Sequence, residues 1–376
     1  MAGPVRVQVV DPSAYTPPYD RALCAALAAA GAEVELVTSH FAYGAVAPAD
    51  GYEVCELFYR HAAGPPGSRR RLALKLAQHG PDMLRYRRHA RAADVVHFQW
   101  LSVQPADVHL LPRGRPLVLT AHDVLPREPR AGQLAAQRRL YERMDAVVVH
   151  SRAGRNRLTR TLGVEPERVH VIAHGAFTHL VEMAGQRPLP PDLGAVRGPV
   201  VLFFGLMRPY KGIEVLLAAW DGVRDALTGE DGPPELWLVG RPRMELAPLR
   251  AATPEGVRWV TRFLPDAEVG AFFRRADLVV LPYLEIDQSG VLATALAFGS
   301  PLLLSDVGGF GEVAAEGAAE LVSPGDPAAL HDAIVGLLSD RARRDDLASG
   351  AARAAAGPYS WSGVARRTLA LYESLR

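Results

Sequence analysis

The chain has 376 residues, of which 49% are hydrophobic and 22% charged, and its formal net charge is +1. This length predicts two or three domains with sizeable cores, and the composition excludes a disordered or fibrous protein and argues against a dedicated nucleic-acid binder. The charge is unevenly spread, because residues 1–190 carry 24 basic and 17 acidic side chains (+7) and residues 191–376 carry 18 and 24 (−6). Only two of the 42 basic residues are lysines, Lys75 and Lys211.

Several other classes of protein are also disfavoured. The two cysteines, Cys24 and Cys55, are too few for a disulfide framework and lack metal-ligand spacing, so no metal site is expected. The first residues resemble a short strand and not a signal peptide. The longest charge-free run, 288–305, contains glycine, serine and proline, which predicts a helix, a turn and a strand in place of a membrane span. We therefore expect a cytoplasmic protein.

In chain order, the first half alternates short apolar strands with amphipathic helices, a pattern typical of a parallel sheet covered on both faces. The predicted strands are Val5–Val10, Val34–Thr38, Val95–Phe98, Leu117–Thr120, Ala146–His150 and Val169–Ile172. The clearest predicted helices are Tyr19–Ala30, Gln133–Met144 and Ala153–Leu162.

The alternation pauses at a stretch rich in proline and glycine and then resumes. The later predicted strands are Val200–Phe204, Glu235–Val239, Val257–Val260, Leu278–Leu281 and Leu302–Leu304. The sequence thus predicts two doubly wound α/β domains, 1–185 and 200–358, joined by a linker at 186–199, with substrate in the cleft between them. The last segment, 359–376, is predicted to end in a helix that is a candidate to cross back to the first domain.

The strongest local pattern is the loop after the strand that ends at Gly205. Arg208 and Lys211 lie on this loop, just before a helix that starts near Gly212. Cations beside a helix N-terminus form an anion site, although two solvated charges on a surface loop fit the same pattern. The scarcity of lysine in this chain favours the anion site.

A second loop carries Gln288, Ser289 and Gly290 into a helix that ends at Gly299. Glycine at a helix start lets a ligand approach the backbone, and the free N–H groups there suit a diphosphate; an ordinary capped helix is the alternative. Three glycines between Asp306 and Glu312 indicate either another close approach to a ligand or a tight turn. The loop with Lys211 and the loop with Gly290, in one domain, favour a bulky phosphorylated ligand.

In the first half, His122 and His174 each follow a predicted strand. An imidazole there can exchange a proton with a ligand hydroxyl, because its pKa lies near neutrality, although a structural role fits each residue as well. Tyr15, after the first strand, and Trp100, after the strand at 95–98, are predicted at the rim of the cleft. Core packing is the alternative for Trp100.

Residues 69–91 contain eight basic side chains and one acid, Asp82, with leucine and methionine interleaved. This stretch predicts a solvated helical face, a surface that docks on anionic membranes, or a site that recognises an anionic substrate.

Taken together, these runs resemble the family 4 retaining glycosyltransferases, a group 1 family of GT-B fold with two Rossmann-like domains and a nucleotide-sugar donor. The resemblance covers essentially the whole chain. It is carried by Phe203–Gly212, Arg262–Asp266, Ala276–Tyr283, Gln288–Pro301 and Asp306–Glu312, and by Tyr359–Trp361 before the last helix.

The resemblance implies roles for single residues. Lys211 and Arg208 would clamp the leaving diphosphate, and His122 would contact the transferred sugar. The donor would be bound by Gly205, Arg262, Phe263, Asp287, Gln288, Ser289, Gly290, Val291 and Thr294, and the acceptor by Tyr15, Trp100 and His174. Two residues depart from the family pattern: Leu206 stands where arginine is common, and Thr294 stands where a ribose-binding glutamate is usual.

The implied reaction moves a sugar from a nucleotide sugar, such as a UDP- or GDP-sugar, to an acceptor hydroxyl with retention and without a metal or other cofactor. The absence of an Asp-x-Asp motif agrees with metal independence. The acceptor would be a glycan, a lipid-linked sugar or a small natural product, with no nucleic acid involved and with anionic membrane contact as a further expectation for 69–91. The alternatives are a sugar-nucleotide epimerase, a phosphorylase, or a non-catalytic nucleotide-sugar-binding protein.

Overall fold

The computed structural model describes residues 3–44, 46–126, 132–183, 185, 187–227 and 232–376. The chain forms two compact units, Met1–Gly175 with Trp361–Arg376 and Ala176–Ser360. The boundary therefore lies ten residues before the expected one at 185, and the expected linker at 186–199 belongs to the second unit, with Gln186 outside the described residues. Leu193 is buried in the second core, and Arg275 donates hydrogen bonds to the carbonyls of Val196 and Gly198, which holds this segment against the second unit.

The strands of the first unit are β1 (Arg6–Asp11), β2 (Glu33–Ser39), β3 (Glu53–Phe58), β4 (Val95–Phe98), β5 (Leu117–Thr120), β6 (Ala146–Val149) and β7 (Val169–Val171). Its helices are α1 (Pro17–Ala29), α2 (Arg69–His89), α3 (Gln104–Leu110), α4 (Gln133–Glu142) and α5 (Arg152–Leu162). The final helix of the chain, α16 (Trp361–Leu375), also belongs to this unit.

The strands of the second unit are β8 (Val200–Phe204), β9 (Glu235–Val239), β10 (Val257–Val260), β11 (Leu278–Leu281), β12 (Leu302–Ser305) and β13 (Ala319–Val322). Its helices are α6 (His179–Met183), α7 (Pro191–Gly194), α8 (Ile213–Trp220), α9 (Val223–Ala226), α10 (Ala247–Ala251), α11 (Asp266–Arg275), α12 (Gly290–Ala297), α13 (Phe310–Ala315), α14 (Pro327–Ser339) and α15 (Arg341–Ala356).

Both sheets are parallel and doubly wound, as predicted. The first has the order β3-β2-β1-β4-β5-β6-β7 and the second the order β10-β9-β8-β11-β12-β13. The direction of winding changes between β1 and β4 and between β8 and β11, and ligands of open α/β sheets bind at the carboxyl ends of the strands at such switch points. The fold therefore offers one candidate crevice in each unit.

Two edge strands, β3 and β13, were absent from the sequence prediction. β3 reads Glu-Val-Cys-Glu-Leu-Phe and is buried only at its last two residues. Its first four residues are partly exposed because the strand lies at the sheet edge, so it lacks the continuous apolar run that identifies a central parallel strand. Among the described residues, no helix has both the length and the apolar content that a membrane span requires.

The last helix, α16, packs into the first unit through buried contacts. His97 of β4 hydrogen-bonds the Tyr372 hydroxyl at 2.6 Å and the Thr120 hydroxyl at 2.8 Å. A Cβ on Gly175 would lie 2.4 Å from the Trp361 ring, so this position requires glycine. Burial, aided by the charge of His150, lowers the pKa of His97 to about 3, so the folded protein holds this imidazole neutral.

The neutral His97 predicts a pH dependence of stability. The unfolded chain takes up a proton here near pH 6.5, whereas the folded chain does so only near pH 3. The contribution of His97 is therefore complete above pH 6.5 and is lost as the pH falls, at up to about 1.4 kcal/mol per pH unit. Between pH 6.5 and 5.0, the free energy of unfolding should fall by about 2 kcal/mol more in the wild type than in His97→Gln.

Urea denaturation at the two pH values measures this difference. His40→Gln is the matched control, because the His40 side chain is 78% exposed. His40→Gln should keep the pH dependence of the wild type, and an equal loss in His97→Gln and wild type would refute the assignment.

Candidate active site

The second unit brings both predicted anion-binding loops to its switch point. The loop at 205–212 follows β8, and the loop at 282–290 follows the neighbouring strand, β11. Both strands are buried and apolar, so the polar side chains of this region lie on the loops that follow them.

Lys211 is only 6% exposed at this point. Its Nζ donates a hydrogen bond to the Tyr283 hydroxyl at 2.9 Å and lies 4.7 Å from the centre of the Tyr283 ring. Gly205 has a φ of +109°, and a Cβ there would lie 2.8 Å from the Val291 side chain and 3.3 Å from the Lys211 Nζ. Glycine at 205 is what lets this lysine and the start of α12 come together.

Arg208, the other predicted cation, is exposed and makes no side-chain hydrogen bond or ion pair with the described residues. It directly precedes the single 3₁₀ turn at Pro209–Lys211. Leu206, at the position where arginine is common in the family, is 41% exposed. Lys211 is therefore held in place, whereas Arg208 keeps its rotamer freedom.

The start of α12 is capped by Ser289, whose hydroxyl accepts a hydrogen bond from the Leu292 N–H at 3.3 Å. The N–H groups of Gly290 and Val291 have no acceptor within the helix, because they belong to its first turn. The Val291 side chain and the Lys211 Nζ both lie beside Gly205, so the first turn of α12 is next to the lysine. The arrangement can bind an anion.

Residues near this helix differ in what they can still offer a ligand. Thr294 is buried, and its hydroxyl donates to the Gly290 carbonyl at 2.9 Å, so only its oxygen lone pairs remain for a ribose. Gln288 has a buried side-chain oxygen with no hydrogen-bond partner among the described residues. Asp287 is 8% exposed. A buried acceptor without a hydrogen bond is costly, so we expect the Gln288 oxygen to accept a hydrogen bond from a ligand.

Arg262 and Phe263 follow the edge strand β10, two places from β8 in the sheet. Arg262 forms an ion pair with Glu268 at 2.5 Å, and this hydrogen bond is the main cause of a lowered pKa of the Glu268 carboxyl. Phe263 is 62% exposed. The structure records no contact of either residue with Lys211 or Gly290.

In the first unit, strands β4 to β7 bring a group of histidines together. His97 lies in β4, and His122, His150 and His174 follow β5, β6 and β7. The ring of Tyr19 lies against three of them, with centroid distances of 4.7 Å to His122, 5.6 Å to His150 and 4.8 Å to His174. Sequence analysis identified His122 and His174 and missed His150, although it also follows a strand.

Hydrogen bonds fix the proton positions of this group. His150 Nδ1 donates to the Ile172 carbonyl at 3.0 Å, so its Nε2 must accept from His122 Nδ1 at 3.3 Å. His122 Nε2 then presents a lone pair to the Gln99 amide at 3.2 Å. The two groups form a hydrogen bond when the Gln99 amide is flipped, so that its NH₂ group faces His122 Nε2. The flip also gives the Gln99 nitrogen, which otherwise has no partner among the described residues, an acceptor.

Burial keeps these imidazoles neutral. It is the largest cause of a lowered pKa at His122, well below 6.5, and lowers the pKa of His150 to about 4 and that of His174 to about 3. Repulsion between neighbouring imidazoles, which would arise if more than one took up a proton, lowers the pKa values of His122 and His174 further. At neutral pH, His122 is thus a neutral ring with both nitrogens already engaged.

The loop after β1 is ordered by Asp11, the last residue of that strand. The buried Asp11 carboxylate accepts hydrogen bonds from the backbone N–H groups of Ser13, Tyr15 and Thr16. Burial, together with the charge of Asp11, raises the pKa of Asp20 well above its usual value, so Asp20 stays protonated and hydrogen-bonds Asp11. Because Asp20 carries the proton and Asp11 the negative charge, the two carboxyl groups can share a buried site.

Tyr15 and Trp100 meet beside His122. The Trp100 ring stacks on His122 with centroids 5.0 Å apart, and its Nε1 donates to the Thr16 hydroxyl at 2.9 Å. Tyr15 is 68% exposed, and its ring lies 5.1 Å from that of Trp100. Trp100 therefore supports the site and packs against it, whereas Tyr15 offers an open aromatic face.

Glu35, Cys55 and His89 place atoms of the kind that bind metals within 4.8 Å of one another. Within this group, His89 Nε2 already lies 2.8 Å from a Glu35 oxygen, and burial raises the pKa of the Cys55 thiol. A hydrogen bond between His89 and Glu35 beside a protonated thiol accounts for the cluster.

Two family models match the chain. The model described as Glycosyltransferase Family 4 matches residues 21–179, and the model described as Glycosyl transferases group 1 matches residues 198–340. Among curated relatives, D-inositol 3-phosphate glycosyltransferase 1 of Catenulispora acidiphila is 30% identical over 347 residues, 86% of this chain and 82% of that protein. Alpha-maltose-1-phosphate synthase of Mycolicibacterium smegmatis is 28% identical over 76% of this chain and 80% of that protein.

Solved structures share the fold. Sucrose-phosphate synthase from Thermosynechococcus elongatus superposes with a TM-score of 0.73 at 20% identity, over 100% of this chain and 99% of that one. The Anabaena protein HepE in complex with UDP and glucose superposes with a TM-score of 0.71 at 18% identity, over 99% and 100% of the two chains. The chain is a glycosyltransferase of GT-B fold and belongs to the group 1, family 4 glycosyltransferases.

Proposed function

We propose that the protein transfers a sugar from a nucleoside-diphosphate sugar to an acceptor hydroxyl with retention of anomeric configuration and without a metal ion. The observation that carries the proposal is the buried Lys211 ammonium, held beside Gly205 and the first turn of α12.

The diphosphate gains negative charge as its bond to the sugar breaks. Lys211 and the N–H groups of Gly290 and Val291 stabilise that charge from fixed positions, and the exposed Arg208 closes over it. Preorganised donors of this kind lower the barrier because they need no rearrangement during the reaction. Cations in these positions supply what a divalent ion supplies elsewhere, and the sequence has no Asp-x-Asp motif.

UDP or GDP is the proposed nucleotide. HepE, which shares the fold, was solved with UDP and glucose, and this favours UDP. Gln288 and Asp287 offer oxygen atoms to donors of the nucleotide or sugar, and the Thr294 oxygen accepts from a ribose hydroxyl. Arg262 and Phe263 would join the donor site only at its outer edge, after Arg262 leaves Glu268.

His122 contacts the transferred sugar as a neutral acceptor in this proposal. A sugar hydroxyl takes the place of Gln99 at the Nε2 lone pair, while the His150 hydrogen bond holds the ring. Retention follows from attack on the face that the diphosphate leaves, with a diphosphate oxygen taking the proton of the acceptor. The acceptor class remains a glycan, a lipid-linked sugar or a small natural product, contacted by Tyr15, Trp100 and His174.

A basic and apolar face on α2 supports membrane contact as part of the same proposal. Leu72, Leu76 and Leu84 are 59%, 56% and 47% exposed and follow one another along the helix. Arg69, Arg70 and Arg88 are exposed near its two ends. Arg71 and Arg85 serve the fold instead, because Arg71 donates to the Ala62 carbonyl and Arg85 pairs with Asp82. The remaining pattern is that of a helix lying in an anionic interface.

Loss of the Lys211 ammonium tests the diphosphate site. Thermal shifts with UDP, GDP, ADP and dTDP first identify the nucleotide. With the matching sugar donor, Lys211→Ala should lower kcat by about 10²- to 10³-fold, because a fixed donor to the developing charge is lost. Arg208→Ala should lower it less, because Arg208 is exposed. Nucleotide release and product formation measure both rates.

Arg250→Ala, an exposed cation on α10, is the control and should turn over like the wild type. Turnover of Lys211→Ala close to wild type would contradict the clamp. Release of sugar or its epimer without any acceptor would favour an epimerase or phosphorylase, and nucleotide-sugar binding without turnover would favour a non-catalytic protein.

Flotation with liposomes that contain anionic lipid tests the α2 face. The wild type should float at low salt and less at high salt, because both charge and apolar contact contribute. Leu72→Ser with Leu76→Ser should abolish flotation. Arg241→Ala with Arg243→Ala, exposed on the second unit, is the control and should float normally. Absence of salt-sensitive flotation by the wild type would remove the membrane contact.

A further inference from the structure

A group of hydroxyls lies at the switch point of the first sheet. Ser13 follows β1 and Ser102 follows β4, the two strands between which the winding direction changes. Their Oγ atoms are 2.7 Å apart, and both hydroxyls are close enough to the Tyr59 hydroxyl to lower its pKa. Tyr59 comes directly after β3, so three separate loops supply the group.

Tyr59 has a strained backbone. Its φ of +54° is unusual for a bulky residue, and such strain persists only where the surrounding structure enforces it. Its N–H donates to the Asp82 carboxylate at 2.8 Å, and its carbonyl accepts from the Ala62 N–H at 3.0 Å. The chain thus fixes the direction in which this side chain leaves the end of β3.

Two buried side chains set the direction of the Tyr59 hydroxyl. Asp107 is fully buried and accepts from the Val103 N–H with one oxygen and pairs with His79 Nε2 through the other. His79 Nε2 donates to this carboxylate, and we assign the Tyr59 hydroxyl as the donor to His79 Nδ1, which lies 2.7 Å away. In this assignment the Tyr59 oxygen shows only lone pairs to Ser13, Ser102 or a ligand.

Burial also raises the pKa of Tyr59 to about 12, so the phenol keeps its proton at neutral pH. A ligand hydroxyl can therefore meet this oxygen only as a donor. An open aromatic face lies on the same loops: Tyr15 comes two residues after Ser13, and Trp100 comes two residues before Ser102. Hydroxyls beside an aromatic face suit a polyol ring, which has hydroxyl edges and an apolar C–H face.

We infer that Ser13, Ser102 and Tyr59 form a polyol subsite that binds adjacent hydroxyls of a sugar or cyclitol acceptor, with the Tyr59 oxygen accepting a hydrogen bond from one of them. His79 and Asp107 are positioning residues, since they act through Tyr59. The identification of the bound polyol as the acceptor rests on the proposed function, whereas binding of a polyol can be measured without turnover.

Titration with myo-inositol and with D-glucose, followed by saturation-transfer NMR in the presence of UDP, tests the subsite. The wild type should bind at least one of them, and Tyr59→Phe should raise its dissociation constant about tenfold, since the variant lacks only the oxygen. Asp107→Asn should also raise the dissociation constant, because it reverses the direction of the hydrogen bond between Tyr59 and His79. The amide oxygen must face the Val103 N–H, so the NH₂ group faces His79 Nε2, and the His79 proton moves to Nδ1. The Tyr59 hydroxyl then turns outward as a donor.

A double variant separates positioning from structural damage. Asp107→Asn should change the dissociation constant little when Tyr59 is already phenylalanine, because it acts through the missing oxygen. Equal weakening in both backgrounds would show that Asp107 only supports the fold. Tyr86→Phe is the matched control, because the Tyr86 hydroxyl is buried without a partner among the described residues, and this variant should bind like the wild type.

Failure of the wild type to bind both polyols, or unchanged binding by Tyr59→Phe, would overturn the subsite. Lys211-dependent transfer to another acceptor would in that case leave the glycosyltransferase proposal standing. Polyol binding without any turnover would support the subsite and contradict the proposed reaction.

Discussion

Burial of both faces of two parallel sheets is the constraint on which the rest of the molecule depends. A strand covered on both faces is apolar along most of its length, so polar side chains collect where the strand ends. β8 and β11 show this, because their residues are almost wholly buried and Lys211 and Gln288 come after them. The switch points then decide which of these ends diverge and leave room for a ligand.

Polar groups that are buried at these ends must be hydrogen-bonded, since an unmet donor or acceptor is costly there. In the first unit, two chains of hydrogen bonds meet this requirement, and each ends on a backbone carbonyl or a carboxylate. One chain runs from His122 through His150 to the Ile172 carbonyl, and another runs from Tyr59 through His79 to the Asp107 carboxylate. Each final acceptor favours one arrangement of the protons before it, so the other end of each chain, at His122 or at Tyr59, has a defined polarity.

Much of the fold could be predicted from single segments, and much of the first-unit site could not. The Val- and Leu-rich runs at 200–204 and 278–281 identify central strands because burial on both faces demands that composition. The β3 strand escaped prediction because its exposed edge carries Glu53 and Glu56. The loop with Lys211 was predictable because its residues are close in sequence. Tyr59, His79 and Asp107 were not, because they come from three segments and the positive φ of Tyr59 leaves no mark in the sequence.

The two units differ in the kind of hydrogen-bonding group that they offer. At the second switch point the offered groups are donors, the Lys211 ammonium and the first N–H groups of α12, and they suit an anion. In the first unit the proposed ligand-binding groups are the Tyr59 oxygen and, once Gln99 has turned away, the His122 nitrogen, whose lone pairs suit hydroxyl donors. Net charge points the other way, since the first half of the chain carries +7 and the second −6. In the proposed function, recognition therefore depends on a few buried groups that are held by their neighbours. The overall charge of each half follows the solvent-exposed surface, to which the basic residues of α2 contribute.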